Sequence, residues 1–147
     1  MPYEDPLIGF KYSLDIGGKV TGYFTECTGL DIEYDPVELK IVNEKGVPLI
    51  IQQPGRIKYT DITLKRGLTS NLDIWEWRRE IEEGNVDGAR VSGTVTMRSE
   101  DGTPVALWHF ENGWPSKVSG PQVKSDSNEY GVEELTIVHE KLYREAA

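Results

Sequence analysis

His139-Glu140 would open a zinc-hydrolase helix if a second histidine followed the first by four positions, since two imidazoles one turn apart hold the metal while the glutamate activates water. Tyr143 stands at that place and the flanking residues alternate like a strand, so the motif is rejected. Cys27 is the single cysteine and His109 and His139 are the two histidines, too few for the usual zinc cages. Cys27 also lacks an intrachain disulfide partner and reads as a small buried hydrophobe. Gly17-Gly18, and the glycines at 84 and 88, lack dinucleotide or P-loop spacing and read as turn formers. No cofactor and no metal are expected.

Four tryptophans could offer stacking faces to a sugar or a base. Trp77 and Trp108 fall on apolar faces of their segments and read as core, whereas Trp75 and Trp114 stay open to either role. With 25 Asp and Glu, two carboxylates could be paired on paper as a glycosidase couple. Such a couple must flank one bond across a cleft, and no spacing here puts two there. The chain therefore reads as a non-enzyme.

The elements that would position these residues are mostly strands. Phe10, Tyr12, Leu14 and Ile16 alternate with polar residues, Gly17-Gly18 turns the chain, and Val20 to Thr28 returns. After Gly29, Leu30, Ile32 and Tyr34 share a face, predicting a third consecutive antiparallel strand. Val37 to Gln53 predicts a projecting hairpin or long loop turning at Glu44-Lys45-Gly46, with Leu49, Ile50 and Ile51 as an apolar return. Exposed, these three would form a sticky patch and are candidates for contacts between subunits or rings. Pro54-Gly55 should close the excursion, and Ile57 to Arg66 has strand composition.

One helix is predicted: Ser70 lies three residues before Asp73 in a variant capping box, Ile74, Trp77 and Ile81 follow at helical spacing, and Gly84 stops it. Asp73, Glu76, Glu80 and Glu83 line the opposite face, with Arg79 at its edge. This strip is either an ordinary solvated surface or a docking strip for a basic partner. Beyond it, Arg90 to Ser99 and Val105 to Phe110 predict a hairpin around Asp101-Gly102, residues 112–128 a surface loop, and Val132 to Tyr143 a long final strand. The expected fold is mainly β, an antiparallel sandwich or barrel with one flanking α-helix, as a single domain over residues 1–147.

A formal net charge of −9 opposes attachment to phosphates or anionic lipid, and no apolar run is long enough for a membrane-spanning helix. The first residues, Met1 to Pro6, lack the features of a signal peptide, so synthesis in the bacterial cytoplasm is expected. An acidic surface does suit a conduit for a polyanion, because like charges repel within about 8 Å at physiological salt.

Cys27-Thr28-Gly29-Leu30-Asp31, Ile62-Thr63-Leu64-Lys65-Arg66-Gly67 and Leu72-Asp73-Ile74-Trp75-Glu76-Trp77 follow in that order, then Trp114-Pro115, Gly120-Pro121, Ser127-Asn128-Glu129 and Val132 to Glu140. Over its whole length this series resembles the tail tube proteins of contractile-tailed phages, a family shared with the inner tubes of contractile injection systems and related to the type VI secretion tube. Residues 43–53 and Gly113, where another small residue such as Ala would be expected, depart from the pattern. The resemblance implies homo-hexameric rings stacked into a tube around a channel for DNA or protein cargo. It implies a contractile sheath, baseplate or spike proteins and a terminator as partners, and assembly into a phage tail or injection particle. Asp73, Glu76, Glu80 and Glu83 then become candidates for docking the sheath. The competing reading is a free carbohydrate- or protein-binding β domain anchored by Trp75 and Trp114.

Overall fold

Alternation makes β1 (Phe10–Ile16) a strand with Leu14 and Ile16 buried and Lys11 and Asp15 exposed, in a computed structural model that describes residues 10–17, 20–67, 71–120 and 131–146. It pairs antiparallel with β2 (Val20–Phe24) on one side and with β7 (Val91–Ser99) on the other. From there the pairing runs through β8 (Pro104–Ser119), β9 (Val132–Val138) and β6 (Ile62–Gly67) to β3 (Glu26–Thr28). Only Thr25 separates β3 from β2, and its N–H and hydroxyl both donate to the Lys65 carbonyl. First and last strands are thus one bent strand, and the sheet closes into a barrel. Its inward residues are Leu14, Ile16, Phe24, Ile62, Leu64, Val95, Phe110, Leu135 and Ile137, all essentially inaccessible.

Close packing rather than turn chemistry explains Gly113. A Cβ there would stand 2.4 Å from the Phe110 ring, and one on Gly93 would stand 2.6 Å from it, so the two glycines admit this aromatic between neighbouring strands. The Asp101-Gly102 turn joins β7 to β8 as expected. Asp101 accepts from the Ser99 hydroxyl and from the Thr103 N–H, and these bonds hold its carboxyl down to about 2.

The helix α1 (Asp73–Glu82) packs on the barrel through Ile74 and Trp77, and Trp77 Nε1 donates at 2.8 Å to the carbonyl of Ala89 in the short α2 (Val86–Ala89). The cap position is Leu72, which makes no side-chain cap. Asn71 Oδ1 instead accepts from the Asp73 N–H. Ser70, expected to cap the helix, lies outside the described residues.

Several boundaries differ from the sequence reading. The strand expected from Val20 to Thr28 bends at Thr25, and the run Ile57 to Arg66 is two strands parted at Thr60 and Asp61. The first half of the supposed loop 112–128 is strand, because β8 bulges near Val91/Gly93 and carries on to Ser119. Residues 121–128 of that loop lie outside the described residues. The final run breaks at His139 and Glu140 into β9, flanked by β6 and β8, and β10 (Lys141–Ala146), which among the described residues pairs with β8 alone.

The third expected barrel strand is absent from the barrel. β4 (Ile32–Val42) and β5 (Pro48–Tyr59) form a separate two-stranded ribbon turning at residues 43–46, where Asn43 Oδ1 accepts from the N–H groups of Lys45 and Val47. The projecting hairpin is therefore present, but it starts earlier and ends later than Val37 and Gln53. Pro54-Gly55 does not close it; both residues lie inside β5, at a bulge.

Candidate assembly surfaces

Inward positions of β6 and β9 continue past the apolar residues into two charges. Ile62, Leu64 and Arg66 point into the barrel, and so do Ile137, Leu135 and Glu133. Arg66 Nε donates to Glu133 Oε2 at 3.1 Å, and Arg66 Nη2 donates to Asp73 Oδ1 at 2.8 Å and to the Asn71 carbonyl at 3.2 Å. The guanidinium also lies over the Phe24 ring. Trp75 Nε1 completes the group by donating to Glu133 Oε1 at 3.1 Å. One buried cation therefore ties two strands to the first turn of the helix.

This cluster decides two sequence expectations. Asp73, proposed for the outward acidic strip, is turned inward with its side chain only 11% exposed, because Arg66 needs a second carboxylate. Glu76 and Glu83 are exposed and Glu80 is half-buried, so the remaining strip stays on the outer face of α1. Trp75, offered as a free stacking anchor, is half-buried and tied to Glu133. Trp114 is half-buried in an open groove of about 510 Å³ between α1 and β8, lined also by Arg78, Ile81 and Lys117. Arg66 and Glu133 went unnoticed in the sequence, although each occupies an inward register position where the alternation calls for an apolar residue.

His139 sits where β9 gives way to β10. Its Nε2 donates to the Thr60 carbonyl at 3.1 Å, beside the Tyr59 and Phe110 rings, so it fastens the base of the ribbon to the barrel. Burial pushes its imidazole below the usual range, against the opposing pull of the Thr60 and Lys141 backbone groups and of Asp61. Burial also pushes the Cys27 thiol up to about 12, which suits packing and not nucleophilic chemistry. Among the described residues no cluster of His, Cys, Asp and Glu could hold a metal ion, and no helix is long and apolar enough to cross a membrane.

Most of the exposed large hydrophobic side chains among the described residues lie on the ribbon. Ile32, Tyr34, Val37, Leu39, Ile41, Val42, Leu49, Ile50 and Ile57 are all more than a third exposed. Of the sequence candidates, Leu49 is 42% and Ile50 60% exposed, while Ile51 is half-buried. A solitary two-stranded ribbon with this composition is marginal in water, so such a surface signals a partner.

The sequence model of a family described as T4-like virus tail tube protein gp19 matches residues 9–143. Among solved structures, the chain resembles one from the extended PVC sheath-tube complex of an extracellular contractile injection system. The TM-score is 0.76 at 25% identity, over 99% of this chain and 93% of that one. A chain of the PVC sheath/tube terminator in the extended state gives 0.75 at 25% identity, over 99% of both. Hcp1 from Flavobacterium johnsoniae shares the fold alone, with a TM-score of 0.51 at 17% identity over 93% of this chain and 96% of that one. No curated protein sequence matches significantly.

Proposed function

The chain belongs to the T4-like tail tube protein family, and on that premise we propose that it closes into homo-hexameric rings that stack, inside a contractile sheath, into a channel for DNA or protein cargo. It is a structural subunit of an inner tube. The observation that carries the ring-and-stack reading is the β4–β5 ribbon, whose exposed apolar side chains are left without cover by the rest of the described subunit. Leu49, Ile50 and Ile51 belong to that ribbon and are proposed as contacts between subunits or rings.

Among the described residues β10 pairs on one side only, with β8, and its other edge is proposed as a second kind of contact. Unpaired strand edges are an aggregation hazard in isolated domains but become useful when a ring closes them against identical neighbours. The outward face of β1, β7, β8 and β10 carries Lys11, Ser13, Asp15, Thr94, Arg98, His109, Glu111, Lys141 and Glu145. Its mixture of hydroxyls and balanced charges suits a channel wall past which cargo slides without sticking. Glu76, Glu80 and Glu83 of α1 are the proposed sheath contacts. Asp73 is left out because Arg66 holds it.

Negative-stain microscopy of the purified chain tests this reading. Rings or open-ended tubes are expected. A monodisperse monomer at all concentrations, particularly one retained by a glycan array, would overturn it in favour of a free binding domain.

A further inference from the structure

A left-handed backbone residue marks the place where β8 changes partners. The strand pairs with β10 up to Glu111, with β7 up to Gly113, and with β9 from Trp114 onward. At this corner Asn112 has a φ of 54°, the single positive value of a non-glycine residue among those described. That region of backbone space admits glycine freely and, of the other residues, chiefly Asn and Asp. The next position is stricter. A Cβ on Gly113 would stand 2.4 Å from the Phe110 ring and 3.1 Å from Ile137 Cγ2, so only glycine fits.

The two demands together produce the one Asn-Gly step in the sequence. Asparagine is among the thermolabile residues, and a following glycine leaves its own nitrogen unobstructed by a side chain. The Gly113 nitrogen can attack Asn112 Cγ. A C–N bond forms, the Cγ–Nδ2 bond breaks, and Nδ2 leaves as ammonia with the proton that the Gly113 nitrogen gives up. Water then opens the cyclic imide at one or the other carbonyl, leaving an aspartyl or isoaspartyl residue at position 112. No reactant other than water is required.

Asn112 is exposed, yet its amide is held. Asn112 Nδ2 donates to Glu140 Oε2 at 2.8 Å, and Arg90 Nη2 donates to Oε1 of the same carboxylate. The Glu140 N–H in turn donates to the Glu111 carbonyl, so the acceptor is fixed through its backbone as well. Ring closure requires Nδ2 to give up this carboxylate as it becomes the leaving group. The same carboxylate explains why asparagine suits position 112. Glycine would offer no amide to hold, and aspartate would face Glu140 with like charge.

We propose that Asn112-Gly113 is a modification site, a point of succinimide formation that Glu140, itself tied to Arg90, holds in check in the folded subunit. Every residue involved lies within one chain, so the proposal is independent of the tube reading. Conversion sets a new carboxylate against Glu140. In the isoaspartyl form it also lengthens the backbone by one carbon immediately before the glycine that packs on Phe110. Modified subunits should therefore be less stable.

Peptide mass spectrometry of the purified full-length chain, sampled during incubation in warm, mildly alkaline buffer, tests the proposal. Asn112 should persist in the folded chain and convert in urea. Folded Glu140→Ala should convert about fivefold faster than the unmodified chain, the factor by which losing a hydrogen bond of this kind frees the amide. Glu140→Gln loses the Arg90 ion pair equally but keeps an oxygen for the amide, and should stay close to the unmodified rate. Asn43 and Asn85 in the same digests report any general loosening of the fold. Equal conversion of folded and unfolded chain, or no acceleration in Glu140→Ala, overturns the proposal. So does acceleration that Glu140→Gln matches or that Asn43 and Asn85 share, because loss of the ion pair or of the fold would then set the rate.

Discussion

Replacing Arg66 with Met should be among the most damaging single substitutions in the barrel. The side chain is about as long and keeps its contact with Phe24, but Glu133 and Asp73 lose their shared cation while remaining buried, at 2% and 11% side-chain exposure. Breaking a buried ionic group by removing one partner costs about 3–5 kcal/mol, because the uncompensated charge stays out of water. For a chain of this size each kcal/mol shifts the midpoint by roughly 2–4 °C, so a loss of about 6–20 °C is expected. The assay is thermal and urea unfolding of the unassembled subunit, since tube formation would otherwise stabilise the fold by mass action. Adding Glu133→Gln and Asp73→Asn to Arg66→Met should recover a large part of the loss, as no net charge is then buried. A loss below about 1 kcal/mol in Arg66→Met, or no recovery in the triple variant, would refute the claim that this cluster holds the helix to the barrel.

The depressed imidazole of His139 makes a pH prediction with a definite sign: its contribution is present above the unfolded value of about 6.5 and is lost as pH falls through the folded one. Subunit stability should therefore drop on acidification through that range, and His139→Gln should flatten this part of the profile; parallel profiles would contradict it. Cys27, with its thiol pushed up to about 12, should resist alkylation at neutral pH in the folded subunit and react readily in urea, as mass spectrometry of iodoacetamide-treated samples would show. Converting Glu76, Glu80 and Glu83 to Lys should spare rings, because Ile74 and Trp77 are untouched, yet impair recruitment of extended sheath. Exposed ion pairs are worth about 0.2–1 kcal/mol each and act here only through repetition along the tube. Normal sheath assembly on the triple variant at low and high salt would return the strip to ordinary solvated surface.

Strand alternation made β1, β7 and the start of β8 legible, and helical spacing found Ile74 and Trp77 on the buried face of α1. What composition could not supply was which strand pairs with which. Leu30 to Tyr34 has the same local pattern as β1, yet from Ile32 onward it pairs with β5 and not with a barrel strand, a choice made by long-range register. The break between β9 and β10 was hidden because Leu135, Ile137 and His139 keep one strand phase, although His139 turns to Thr60 and the buried Leu142 falls on the opposite phase. Asp73 was misplaced for a related reason: helical periodicity assigns a face, but the first turn of α1 lies against β6, where Arg66 competes for the carboxylate. The Leu49 to Ile51 run was recognisable as an unusual apolar segment in a loop-like region, whereas its place in a long strand paired with β4 required the register.

The central claim is that this chain builds a tube from identical rings, and end-on and side-view cryo-electron microscopy of the purified protein tests it most directly. The expected result is sixfold rings with an open channel, stacked with a regular repeat, in which the β4–β5 ribbon lies between copies and its apolar side chains are covered. Particles without ring symmetry, or sixfold rings in which Leu39, Ile41 and Leu49 remain open to solvent, would contradict the account.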